Sequence, residues 1–274
     1  MGDYVKQLNE FFLKYTSDVM NANLDFLLKN SKETLTSCSK LLSDTDNILR
    51  WLSPIENKLK FMLDYYLIYP MLTNIVYPNV QFVYVALLLG ALPQAVYTLR
   101  MVLEAVGIAL YADSKFELRN LHWIKKVGHE SVRNASLLKV RDSLIKVFQE
   151  TVGKEQAKKL VDYVCDVYRQ LSAWIHPVAN IQRLTEHGKR EFAAGLLRAI
   201  TLTAEKYGAP PSYGVLIPMK YGKTDIEDLK YLREMIELTR SSIALLIYAW
   251  SKDKDITDKN AIEEFLNKLS EENR

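Results

Sequence analysis

The stretch Leu160 to Pro177, LVDYVCDVYRQLSAWIHP, sets a guanidinium and an imidazole at a spacing that suits chemistry. Arg169 and His176 are seven residues apart. On an α-helix turning about 100° per residue they lie two turns apart and nearly in line. Leu160, Val164, Val167, Leu171, Trp174 and Ile175 then fall in one sector, the stripe of a helix packed on a core. Asp162, Arg169 and His176 fall on the opposite side, with Ser172 at its edge. Pro177 follows at once and stops the helix. A planar guanidinium can grip an anion with two parallel hydrogen bonds, and an imidazole exchanges a proton near neutral pH. The same pair also fits a plainly solvated face, because a histidine in a last turn suits the negative end of the helix dipole.

A second helix offers partners for that face. Residues 95–112, AVYTLRMVLEAVGIALYA, are apolar on every side except at Arg100 and Glu104. A helix apolar all round is a buried one, and charges on it need partners. Arg100 and Glu104 are spaced i,i+4 and can reach each other. Two roles are open to them: a structural pair tying this helix to a neighbour, or a pair that orients Arg169 and His176 or lines the same cleft.

Arg169-x6-His176 resembles the R-x(4–6)-H signature of the HEPN superfamily, and YRQLSAWIHP is similar to the corresponding helix end in some prokaryotic members. The Arg-x3-Glu helix ahead of it also resembles an arrangement in those relatives. The resemblance covers about residues 82–206 and implies an all-α, dimeric endoribonuclease that works without metal, or an inactive RNA-binding relative. It implies Arg169 and His176 as catalytic, with Arg100, Glu104, Ser172, Arg183 and His187 as supporting or substrate-binding residues. No metal ligand and no cofactor is implied. Active members often carry Asn, Asp or His directly after the arginine, whereas Gln170 stands here. A non-catalytic helical scaffold for protein interaction is the alternative reading.

The elements that must position these residues are helices. Only ten glycines and eight prolines occur in 274 residues, with 49% hydrophobic and 25% charged residues. Such a chain can bury a full core and has the composition of an ordinary globular protein. The expected fold is one all-α domain over 1–274, an elaborated helical bundle. Its HEPN-like core spans about 82–206, with N-terminal helices in 3–70 and C-terminal helices in 225–271 packed around it. The helix that runs toward Tyr69 has two candidate starts, Asp44 to Asp46, from where it would pass through Trp51 and Leu52, or Pro54, which suits a first-turn position. FVYVALLLGALP (82–93) is only a dozen residues before Pro93 and Gln94, short of the roughly 20 a bilayer crossing needs, so it and 95–112 read as a pair of buried core helices.

Net charge of +3 is too small to argue nucleic-acid binding by itself. Between 113 and 146, however, Lys115, Arg119, Lys125, Lys126, Arg133, Lys139, Arg141 and Lys146 outnumber Asp113, Glu117, Glu130 and Asp142. His122, Trp123 and His129 are interleaved, and Gly128 breaks any helix that would join the two histidines into a metal site. A basic surface with an aromatic suits a phosphodiester backbone, and a solvated face has the same composition. Cys38 and Cys165 lie far apart without metal-ligand spacing, which fits a reducing compartment and leaves a single bridge between them as the alternative. The acidic, amphipathic start MGDYVKQLNEFF is no secretory signal. The expected setting is cytoplasmic, as a homodimer, with RNA as partner and no membrane.

Residues 207–225 form the one long irregular stretch, and Gly222-Lys223-Thr224 lacks the earlier glycine a phosphate loop requires. A long helix over 225–251 follows, with Leu229, Leu232, Ile236, Ile243 and Leu246 inward, and a last one begins near Thr257.

Overall fold

The computed structural model describes residues 2–52, 63–174 and 218–252. Among them every regular element is helical, and no strand occurs. The chain is an all-α helical bundle. Its helices are α1 (Gly2–Asn30), α2 (Lys32–Leu52), α3 (Ile68–Leu88, with a π-helical turn at Leu72–Val76), α4 (Leu92–Ser114), α5 (Trp123–Gly128), α6 (Glu130–Arg133), α7 (Leu137–Val152), α8 (Lys154–Trp174) and α9 (Ile226–Lys252).

α4 is the axis around which the others pack, with α3, α7, α8 and α9 against it. Its sequence explains the position. Leu99, Val102, Leu103, Val106, Ala109 and Leu110 lie on one broad face of the helix and are all fully buried. Gly107 lets α7 approach, since a β-carbon there would stand 2.3 Å from Leu137 Cδ1. α4 is not buried all round, however. Tyr97 and Met101 are exposed on one row, a departure from the all-buried helix its composition predicts. By length and composition, α3 and α4 are each apolar enough to cross a membrane; 33% of the α3 window and 72% of the α4 window lie buried among other helices.

Of the two candidate starts, the one at Asp44 is absent, because α2 runs unbroken to Leu52, and Pro54 lies outside the described residues. Asp44 is not a cap there: it pairs with Arg240 of α9, whose guanidinium also meets Glu237 at 3.0 Å. Thr45 donates its hydroxyl back to the Leu41 carbonyl at 2.7 Å, inside a continuous helix. α3 begins well before residue 82, and the turn into α4 is made at Gly90, whose φ of 71° is left-handed. There the chain is clamped. Leu89 O accepts from Met219 N at 2.8 Å, and the buried Asn23 amide donates to Leu88 O and Met219 O, each at 2.8 Å, while its oxygen accepts from Tyr221 N. One side chain of α1 thus satisfies three backbone groups that no helix could.

α9 holds its expected inward residues: Leu229, Leu232, Ile236 and Leu246 are fully buried and Ile243 is nearly so. The last expected helix, beginning near Thr257, lies outside the described residues, as does the irregular stretch up to 217.

Candidate functional site

α8 is set by its apolar stripe. Val164, Val167, Leu171 and Trp174 are buried as the spacing predicts, while Leu160 is half-buried. Trp174 ends the described helix stacked on Tyr231 of α9, with centroids 5.9 Å apart and rings 7° from parallel. That contact fixes the end of α8 toward α9.

The polar face of α8 divides into three situations. Asp162 is taken by Arg141 of α7, whose Nε donates to it at 2.7 Å. Arg169 is exposed, at 55% of its side-chain surface, and its guanidinium pairs with Asp166 one turn back at 2.5 Å. Ser172 donates its hydroxyl to the Tyr168 carbonyl at 2.8 Å, a back-bond within the helix. His176, Arg183 and His187 lie outside the described residues.

The contact between α4 and α8 centres on a residue that periodicity hides. Tyr168 Oη accepts from Arg100 Nη2 at 2.6 Å and donates to Glu104 Oε1 at 2.9 Å. The guanidinium also lies over the Tyr168 ring, 4.9 Å from its centroid. Arg100 and Glu104 are themselves 3.8 Å apart, with side chains 27% and 23% exposed. The pair is therefore half-buried and joined chiefly through a phenol. Burial and the Glu104 carboxylate hold the Tyr168 hydroxyl above its usual pKa, and Arg100 pulls it down. The phenol stays protonated and able to donate at neutral pH. Tyr168 falls on the edge of the apolar stripe, in neither the inward row nor the polar face that spacing marks out. A buried tyrosine needs a partner for its hydroxyl, and that need is the signal that could have found it.

Arg100 and Glu104 are thus brought to the residue directly before Arg169. Among the described residues, no hydrogen bond or ion pair links either of them to Arg169 itself; the connection runs through Tyr168 and the α8 backbone.

The basic segment after α4 is less available than its composition suggests. Lys126 is fully buried and bonds Asp113 at 2.7 Å, itself fully buried. Asp113 also accepts from the backbone amides of Leu67 and Ile68 at 2.7 and 2.9 Å, capping the start of α3. His122 and His129 begin α5 and α6 as caps, accepting from Ile124 N and Ser131 N at 3.2 and 3.3 Å. They stand on two separate short helices with Gly128 between, as a broken helix predicts. Lys115, Arg119, Lys125 and Arg133 remain on the surface, with Arg119 over the exposed Phe116 ring at 4.5 Å.

No protein-family model matches this chain, and neither a curated protein nor a solved structure is significantly similar to it.

Proposed function

We propose that the chain is a HEPN-like endoribonuclease or a close RNA-binding relative, acting as a homodimer in the cytoplasm without a metal. The observation that carries this reading is the Arg100–Tyr168–Glu104 network. It joins the Arg-x3-Glu helix to the Arg/His helix one residue before Arg169. In this reading two chains bring their α8 outer faces together to form the cleft. The RNA's own 2′-hydroxyl attacks the adjacent phosphorus, the 5′-oxygen leaves, and the proton lost by the first is returned to the second. His176 moves that proton or orients the hydroxyl. Arg169 holds the charge that builds on the phosphorus oxygens. Before substrate binds, Asp166 neutralises Arg169; a phosphate must displace that carboxylate.

A non-catalytic scaffold using the same face is the rival, favoured by the Arg169–Asp166 pair and by Gln170. The two are separated by incubating an RNA panel with EDTA and wild type, Arg169→Ala or His176→Ala, with circular dichroism as the check on folding. Cleavage lost in both variants supports the nuclease. Salt-sensitive RNA binding without cleavage leaves the binding relative. Neither cleavage nor binding leaves the scaffold.

A further inference from the structure

The chain between α4 and α6 is held to the bundle from beneath. Lys126 and Asp113, both fully buried, close residues 114–125 into a loop through their 2.7 Å bond. Among the described residues α5 packs chiefly against α6, so this loop stands out from the long helices. Its outer side is apolar. Phe116 is 74% exposed, Ile124 59% and Val127 44%. On α5, about 100° of turn per residue sets Ile124 opposite the inward Lys126, with Val127 beside it on the outer side. Cations flank these side chains. Arg119 lies over the Phe116 ring at 4.5 Å, and Lys125 and Arg133 are exposed on α5 and α6. None of the three takes part in an ion pair among the described residues.

We propose that this loop seats the protein on an anionic lipid surface, with Phe116, Ile124 and Val127 entering the headgroup boundary and Arg119, Lys125 and Arg133 meeting lipid phosphates. The inference stands on the loop alone and uses none of the α8 chemistry. Exposed apolar side chains interspersed with unpaired cations match both parts of such a surface, the acyl boundary and the negative headgroups. The three apolar groups stand on separate short pieces of a protruding loop. A fluid surface accepts them without a shaped counterpart, whereas a protein partner would have to supply a pocket for each. RNA fits the loop less well. Ile124 and Val127 have no ring to stack on a base, and the neighbouring aromatic pair, His122 and Trp123, is half-buried and stacked on itself with centroids 5.7 Å apart.

The experiment sediments the full-length protein with vesicles of phosphatidylcholine alone or mixed with phosphatidylserine, with circular dichroism as the check on folding. Wild type is expected to pellet with the mixed vesicles, to stay in solution with phosphatidylcholine alone, and to be released by salt. Phe116→Ser combined with Ile124→Ser is expected to weaken binding about tenfold or more. Lys125→Gln combined with Arg133→Gln is expected to weaken it about thirtyfold, near fivefold for each charge. Wild type left in solution with the mixed vesicles overturns the proposal. Mixed-vesicle binding unchanged by the two serine substitutions also overturns it, because the loop's apolar groups then enter nothing. If neither vesicle holds wild type while the two glutamine substitutions weaken its binding to a labelled oligonucleotide, the loop is a nucleic-acid surface and the lipid reading falls.

Discussion

Tyr168 of α8 accepts a hydrogen bond from Arg100 of α4 at 2.6 Å, and the same hydroxyl passes its own proton toward Glu104. One phenol thereby separates and serves two half-buried charges that would otherwise meet only at 3.8 Å. Tyr168→Phe removes both bonds while keeping the ring under the guanidinium. The expected loss is about 1–2 kcal/mol, the scale of hydrogen bonds to charged groups reduced for partial exposure. Urea denaturation checks it, and an unchanged midpoint means that water replaces the phenol at both ends.

Asp113 and Lys126 form a fully enclosed ion pair, and burial pushes the Asp113 carboxyl up against the pull of Lys126 and two backbone amides. Removing one partner strands the other charge. Asp113→Asn is expected to destabilise by roughly 3–5 kcal/mol. Asp113→Asn combined with Lys126→Met is expected to lose less than the sum of the two single changes. Additive losses in that cycle, read by thermal denaturation, would mean the two groups do not interact.

Burial, reinforced by the charge of Glu237, raises the Cys38 thiol from the usual 9.0 to about 12. Burial also raises Cys165. Neither thiol is expected to react with a disulfide reagent at pH 8 in the native protein, and both are expected to react on unfolding. A folded pKa above the unfolded one gives stability that is complete below the unfolded value. For Cys38 that contribution is present below pH 9 and is lost as the pH rises from 9 toward 12. Cys38→Ser should flatten the fall in stability over that range.

At Gly90 a β-carbon would stand 2.1 Å from the Met219 carbonyl oxygen, and φ is 71°. Gly90→Ala is expected to cost at least ~2 kcal/mol, from left-handed strain and from opening the Leu89–Met219 contact. A fully stable alanine variant, by differential scanning calorimetry, would show that residues 218–222 do not need that contact.

Much of the architecture is legible in periodicity. The stripe of α8 and the inward row of α9 are helical patterns along a continuous element, and sequence spacing reports them directly. What spacing cannot report is a partner far along the chain. Tyr168 goes unmarked by spacing because its two polar partners lie 64 and 68 residues earlier. Asp44 reads as a helix start because its partner Arg240 is 196 residues away. Lys126 reads as part of a basic surface for the same reason: its charge is spent inside, on Asp113. Tyr97 and Met101 show the opposite case, since an apolar composition cannot tell a fully enclosed helix from one with a single open row.

The most direct test of the proposed chemistry is the identity of the RNA ends after incubation with EDTA, read by mass spectrometry. The account predicts 2′,3′-cyclic phosphate and 5′-hydroxyl ends, absent with Arg169→Ala and His176→Ala and absent when the scissile nucleotide carries a 2′-O-methyl group. Ends with 3′-hydroxyl and 5′-phosphate, or cleavage retained in both variants, would contradict it.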